Sequence, residues 1–301
     1  MPRRVTFSSD GIELVGYLHD PPGLAPLEPR AGVLVCHGFG AHQERVLPEV
    51  AAQLAELGYR AMTMDYRGFG ESDGPRWRML PQEQVRDIRS AITFLQDQPG
   101  VEPSRIGLWG TSFGGANVAY VAGVDRRVGC TVSVVGVGCG ERWLRSLRRA
   151  WEWREFRAEL DEDWRQQVRS GRSRMVDRTY IMLPDPPSQA AIEATLAAFP
   201  NACRQLPLET ARAVLEFHPE EVVGRIAPRP ILFIVAGEDG LVLNELTREL
   251  FDRAGEPKGW VVLPGLPHYD TYLPENLAQV LRHTTQWLER HLPAMTPQVG
   301  D

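Results

Sequence analysis

A serine flanked by glycines where a strand runs straight into a helix constrains this chain more than any other feature. Gly110-Thr111-Ser112-Phe113-Gly114 follows Ser104–Trp109, a short apolar run, and precedes Ala116–Ala122, which has the composition of a helix. Such a junction holds the serine in a strained backbone conformation. Only small residues two positions to either side let strand and helix approach closely. The strain presents the hydroxyl at the tip of the turn, above the free N–H groups of the helix N-terminus. This context, more than the five-residue pattern, marks Ser112 as a candidate nucleophile.

The surrounding chain alternates strands and helices. Val5–Phe7 and Ile12–Leu18 flank Ser8-Ser9-Asp10-Gly11, a hairpin signal. Gly32–Cys36 is a continuous apolar run, as a strand buried on both faces requires. A helix over Val46–Leu57 leads to a strand over Tyr59–Met64. The next helix, Gln82–Gln96, places Val85, Ile88, Ile92 and Leu95 at helical spacing. After the serine turn, Val128–Val137 forms another apolar strand. The pattern resumes with strands at Pro230–Val235 and Trp260–Leu263 and helices at Leu243–Phe251 and Glu275–His291. This order predicts a mostly parallel sheet with helices on both faces, an α/β fold.

Residues 138–225 break the alternation. They carry no strong strand signal and are rich in arginine, glutamate and tryptophan. The simplest organisation is a core of residues 1–137 and 226–301 with 138–225 as an inserted helical cap. Trp143, Leu147 and Trp151 form one helical stripe in it, and Trp153, Phe156, Leu160 and Trp164 another. Such stripes either fasten the cap to the core or line a substrate pocket with Trp143, Trp151 and Trp153. Leu183-Pro184-Asp185-Pro186-Pro187 separates cap helices and suits a lid hinge.

A serine hydroxyl is a weak nucleophile until a base takes its proton and a third group orients that base. In a parallel sheet these groups gather where strands end, at the carboxyl edge. Glu238-Asp239 follows one later strand, and His268 follows the next. The order Ser112, Asp239, His268 on those strand ends closely resembles the α/β-hydrolase family. His37-Gly38-Phe39-Gly40 resembles its oxyanion loop, and Asp65–Ser72 the turn after the following strand. The resemblance spans about residues 5–137 and 226–292.

That resemblance implies a catalytic Ser112–His268–Asp239 triad. It also implies an oxyanion hole made by the backbone N–H groups of Phe39 and Phe113. Glu238 competes with Asp239 in the sequence, and the family pattern favours Asp239. His37 is expected to brace the oxyanion loop, Arg67 to fix its turn, and His42 and Glu44 to lie on the surface near the mouth. His218 and the other histidines outside the motifs carry no assigned role. Relatives that cleave carbon–halogen or epoxide bonds use aspartate at the elbow, so Ser112 points to acyl chemistry. Trp109 before Gly110 and Gly115 after Gly114 resemble the branch of dienelactone-hydrolase-like esterases and X-Pro dipeptidyl-peptidase-like acylases.

The resulting expectation is a serine esterase that needs no cofactor or metal. An amidase, thioesterase or carbon–carbon hydrolase would use the same residues, and a ligand-binding member without catalysis is the remaining alternative. A net charge of −6 gives no electrostatic case for nucleic acid. The four cysteines are widely spaced, suiting neither a disulfide framework nor a metal site, and Cys139 follows a core strand as a small buried residue or a neighbour of the site. No apolar run approaches a membrane span, and the N-terminus enters a strand without a signal core. These features predict a cytoplasmic enzyme of small-molecule esters, with a homodimer left open.

Overall fold

The computed structural model describes residues 1–23, 25 and 27–295. β1 (Arg3–Ser9) and β2 (Ile12–His19) form an antiparallel hairpin. Its two-residue turn, Asp10-Gly11, has positive φ at both positions (51° and 79°), the turn whose twist matches the strands it joins. β3 (Arg30–Cys36), α1 (Leu47–Glu56), β4 (Arg60–Met64) and α2 (Pro81–Gln96) follow. β5 (Val101–Thr111) then runs into α3 (Phe113–Val124), and β6 (Val128–Val134) closes the first half.

An inserted segment comes next. It holds α4 (Gly140–Ser146), α5 (Ala150–Ser170), β7 (Met175–Asp177), α6 (Arg178–Ile181), α7 (Pro186–Ala198), β8 (Gln205–Pro207) and α8 (Glu209–Leu215). The second half supplies β9 (Ile231–Ala236), α9 (Asn244–Arg253), β10 (Lys258–Leu263) and α10 (Pro274–His291). Eight strands form one sheet in the order β1-β2-β4-β3-β5-β6-β9-β10. β2 is antiparallel to β1 and β4, and every other pairing is parallel. This is the α/β-hydrolase fold that the motifs predict.

Apolar clusters cover both faces of the sheet. β3 shows how one strand serves both: Leu34 and Cys36 join one cluster, Val33 and Val35 the other. The two-residue period of a strand turns a continuous apolar run into two buried faces. Trp143, Phe156, Ile181 and Leu206 of the insertion join Leu34, Phe113 and Val118 in the first cluster. The insertion therefore shares its apolar core with one face of the sheet. Among the described residues no helix is long and apolar enough to cross a membrane.

The insertion departs from the purely helical expectation. β7 and β8 pair antiparallel, with Val176 opposite Leu206. Three-residue strands are too short to leave a periodic signal, and nearly thirty residues of intervening chain hide the pairing. The helix after the serine also starts earlier than its composition suggests. Gly114 and Gly115 are poor helix formers in isolation, but tertiary contact demands them. A Cβ on Gly114 would lie 2.5 Å from the carbonyl oxygens of Cys36 and His37, and one on Gly115 2.8 Å from Ser133 Oγ.

Candidate active site

Ser112 stands between β5 and α3 with φ 55° and ψ −125°, a conformation that side-chain-bearing residues rarely adopt. Close packing enforces it. A Cβ on Gly110 would lie 2.3 Å from the Gly114 carbonyl oxygen, so strand and helix touch where the glycines stand. The Ser112 amide donates to Val134 O at 2.8 Å, tying the turn to β6.

Two other strand ends bring partners to the hydroxyl. Asp239 lies in the turn after β9, and its Oδ1 accepts from the backbone N–H groups of Leu241 (3.0 Å) and Val242 (2.7 Å). Its Oδ2 lies 2.7 Å from His268 Nδ1. His268 sits beyond β10 and is fully buried, with Nε2 3.0 Å from Ser112 Oγ. This chain can pass the hydroxyl proton to an imidazole whose other nitrogen is held by a fixed carboxylate. Glu238 is exposed, whereas Asp239 is buried and reaches the ring.

Tyr269 and Tyr272 frame the imidazole edge-on, at 5.2 and 6.2 Å between ring centroids. The Tyr272 hydroxyl lies 2.8 Å from Thr111 Oγ1, one residue before Ser112. Both tyrosines belong to the His268–Tyr272 turn and were not singled out in the sequence, although their adjacency to His268 is a usable signal.

The His37–Gly40 loop follows β3 and faces the serine. A Cβ on Gly38 would sit 2.9 Å from Ser112 Cβ and 3.4 Å from Oγ, so glycine lets the loop backbone reach the hydroxyl. Neither the Phe39 nor the Phe113 N–H has a backbone acceptor among the described residues. The rings of Phe39 and Phe113 meet at 6.1 Å, and Trp143 contacts each at 5.8 Å. Trp143 also donates from Nε1 to Leu241 O at 2.9 Å, joining the insertion to the turn that holds Asp239.

His37 is buried behind this loop, its Nδ1 3.1 Å from Gly38 O and its Nε2 facing the Tyr66 N–H at 3.5 Å. These contacts suit a neutral ring protonated at Nδ1. Burial pushes its pKa down from 6.5 to about 3. Above pH 6.5 the ring is neutral in both folded and unfolded chains. Below it the unfolded chain takes a proton that the folded chain refuses, so stability falls until the pH nears 3. His37→Gln is therefore expected to flatten the acid limb of the stability curve by up to about 1.4 kcal/mol per pH unit. Urea midpoints at pH 7, 6, 5 and 4 measure this, and parallel curves for the two proteins would refute it.

Arg67 fixes its turn as expected, bonding to Asp87 at 2.6 Å and to Asp10 and Ser9. His42 differs from the surface position expected of it. It is buried because Phe199, after α7, packs its ring 4.9 Å away, a contact no local pattern announces. Glu44 is exposed. Cys139 and His218 face each other at 3.2 Å, away from the serine cavity.

A cavity opens above Ser112. The insertion lines it with Arg178, Ile192, Thr195 and Ala202, and Arg45 comes from the loop before α1. Trp143, Trp151 and Trp153 are not among its lining residues. Trp143 is buried in the core, Trp151 is half exposed, and Trp153 packs on Phe156. The first expected stripe is broken, because α4 ends at Ser146 and α5 starts at Ala150; in the second, Phe156 and Leu160 turn inward and fasten the insertion while Trp164 stays half exposed. Asp185 caps α7 by accepting from Ser188 N.

Known proteins resemble this chain in sequence and in fold. Residues 27–269 match the model of a family described as serine aminopeptidase, S33. The chain belongs to this family of α/β hydrolases. This α/β hydrolase is 32% identical over 261 residues to an uncharacterized 31.7 kDa protein of the traX-finO intergenic region in Escherichia coli, covering 86% of this chain and 91% of that one. It is 28% identical to the polyketide transferase claH of Penicillium crustosum, over 94% of this chain and 95% of the relative. Among solved structures, DcsB in complex with its substrate analogue superposes with a TM-score of 0.84 at 23% identity, covering 97% of the hydrolase and 100% of that chain.

Proposed function

We propose that the protein is a serine hydrolase that cleaves a carboxylic ester through an acyl-enzyme. The observation that carries this reading is the continuous hydrogen-bonded chain from Asp239 through His268 to Ser112. His268 Nε2 takes the hydroxyl proton as Ser112 Oγ bonds to the ester carbonyl carbon. The Phe39 and Phe113 N–H groups hold the oxyanion. The intermediate collapses, the C–O bond to the leaving group breaks, and His268 returns the proton to the departing alcohol. Water then attacks the acyl-enzyme, giving its proton to His268, and Ser112 recovers that proton as the acid leaves. These steps balance with protein groups and water alone.

An ester is favoured over an amide because an alkoxide leaves with less protonation help than an amine. A second reading has its own support. The relative named a polyketide transferase suggests an acceptor other than water for the same acyl-enzyme. Both readings share the first half-reaction.

A fluorophosphonate probe tests that shared half. Near-stoichiometric labelling on Ser112 is expected, and folded wild-type protein that resists the probe would overturn both readings. A panel of p-nitrophenyl esters beside anilide and thioester analogues then separates the leaving groups. Cleavage of anilides alone would replace the esterase reading with an amidase.

A further inference from the structure

The cavity above Ser112 has an unbalanced charge. Two arginines, Arg45 and Arg178, line it and its lining includes no aspartate or glutamate, while His42, which also lines it, has Glu44 Oε2 3.7 Å from its Nδ1. Among the described residues neither arginine has an ion-pair partner. Burying a cation without a counter-ion is costly, so a ligand that brings an anion is favoured there.

Arg178 is 6% exposed and opens α6. Its two terminal nitrogens donate to Phe39 O (2.5 Å) and Gly40 O (3.1 Å), clamping the loop that faces Ser112. Its Nε is buried with no partner among the described residues. His42 Nε2 is likewise buried and unpaired. Arg45 is half-buried, and its guanidinium carbon lies 5.3 and 5.6 Å from the ring centroids of Tyr269 and Tyr272, the residues that frame His268. Among the described residues no hydrogen bond holds its fork, which can take a carboxylate bidentately.

We infer that the cavity selects acyl substrates carrying a free carboxylate, half-esters of dicarboxylic acids, with Arg45 as the specificity-determining residue. This rests on the serine hydrolase reading above. The carboxylate binds the Arg45 fork in the field of Arg178, while the ester carbonyl lies at Ser112.

The test compares mono-p-nitrophenyl esters of succinic, glutaric, adipic, suberic and azelaic acids with twins whose far carboxyl is a methyl ester. At one or more chain lengths the charged ester is expected to show kcat/KM about tenfold or more above its twin. Arg45→Gln should bring that ratio close to one, mainly through KM for the charged ester, and Arg45→Lys should restore part of it. A wild-type ratio at or below one at every length overturns the inference, as does a ratio unchanged by Arg45→Gln. Turnover of the neutral twins in those cases leaves the serine hydrolase standing. Absence of turnover in both series, with no probe labelling, removes that reading and the inference with it.

Discussion

Ser112→Ala is expected to lower kcat on any ester the protein turns over by roughly 10⁵- to 10⁶-fold, with little change in stability. The hydroxyl is the atom that would bond to the carbonyl, and the neighbouring Thr111 hydroxyl is tied to Tyr272 at 2.8 Å. Residual acceleration would come from the Phe39 and Phe113 N–H groups and from binding in the cavity. The fold should survive. Alanine meets the positive φ of 55° with no more backbone strain than serine, and the deleted oxygen makes one side-chain hydrogen bond, to His268. A shift of about 1 kcal/mol or less in urea unfolding is expected, typical of losing one such bond. Adding His268→Ala to this variant should cost little more, because the base acts only through the hydroxyl. A purified Ser112→Ala protein keeping a tenth of wild-type kcat would end the acyl-enzyme mechanism.

The fold was legible because β3, β9 and the Ile106–Gly110 end of β5 are apolar runs, β6 is a buried strand of mostly small and apolar residues, and helical patterns separate them; parallel sheets buried on both faces leave that trace. Ser112, Asp239 and His268 stood out for a related reason. They lie just beyond the ends of β5, β9 and β10, and a parallel sheet gathers those positions on one edge. What the sequence left open, Glu238 against Asp239, depends on which side of a four-residue turn each side chain takes. That is set by the N–H groups of Leu241 and Val242, which capture one oxygen of residue 239.

The cavity walls were hidden for a different reason. Large aromatic residues draw attention in a sequence, yet Trp143 and Phe156 spend their surface on the shared core. The lining comes instead from Arg178, Ile192, Thr195 and Ala202, which belong to no motif. They reach the serine because β7–β8 and α7 fold the insertion back over the His37–Gly40 loop, and Arg178 then clamps two carbonyls about 140 residues upstream. Contacts at that separation have no local signature. His42 shows the same limit, since its burial depends on Phe199.

Asp239→Asn is expected to lower kcat by about 10⁴-fold with the turn geometry intact, while Glu238→Gln stays within about twofold of wild type. The direction of one hydrogen bond decides the outcome. Oδ1 accepts from two backbone N–H groups and Oδ2 accepts from His268 Nδ1–H, so the carboxylate uses both oxygens as acceptors. An amide has one acceptor oxygen and one donor nitrogen. The two N–H groups of Leu241 and Val242 would claim the oxygen, leaving the NH₂ aimed at His268. The ring must then accept at Nδ1 and carry its proton on Nε2, the nitrogen that should take the proton from Ser112. Loss of the buried negative charge also removes the group that stabilises the imidazolium formed during attack. Fluorophosphonate labelling should slow alongside kcat, since both need the hydroxyl activated, whereas ester binding should change little. Should Glu238→Gln produce the large loss and Asp239→Asn the small one, the orienting acid would be residue 238, and the buried chain at the carboxyl edge would need another explanation.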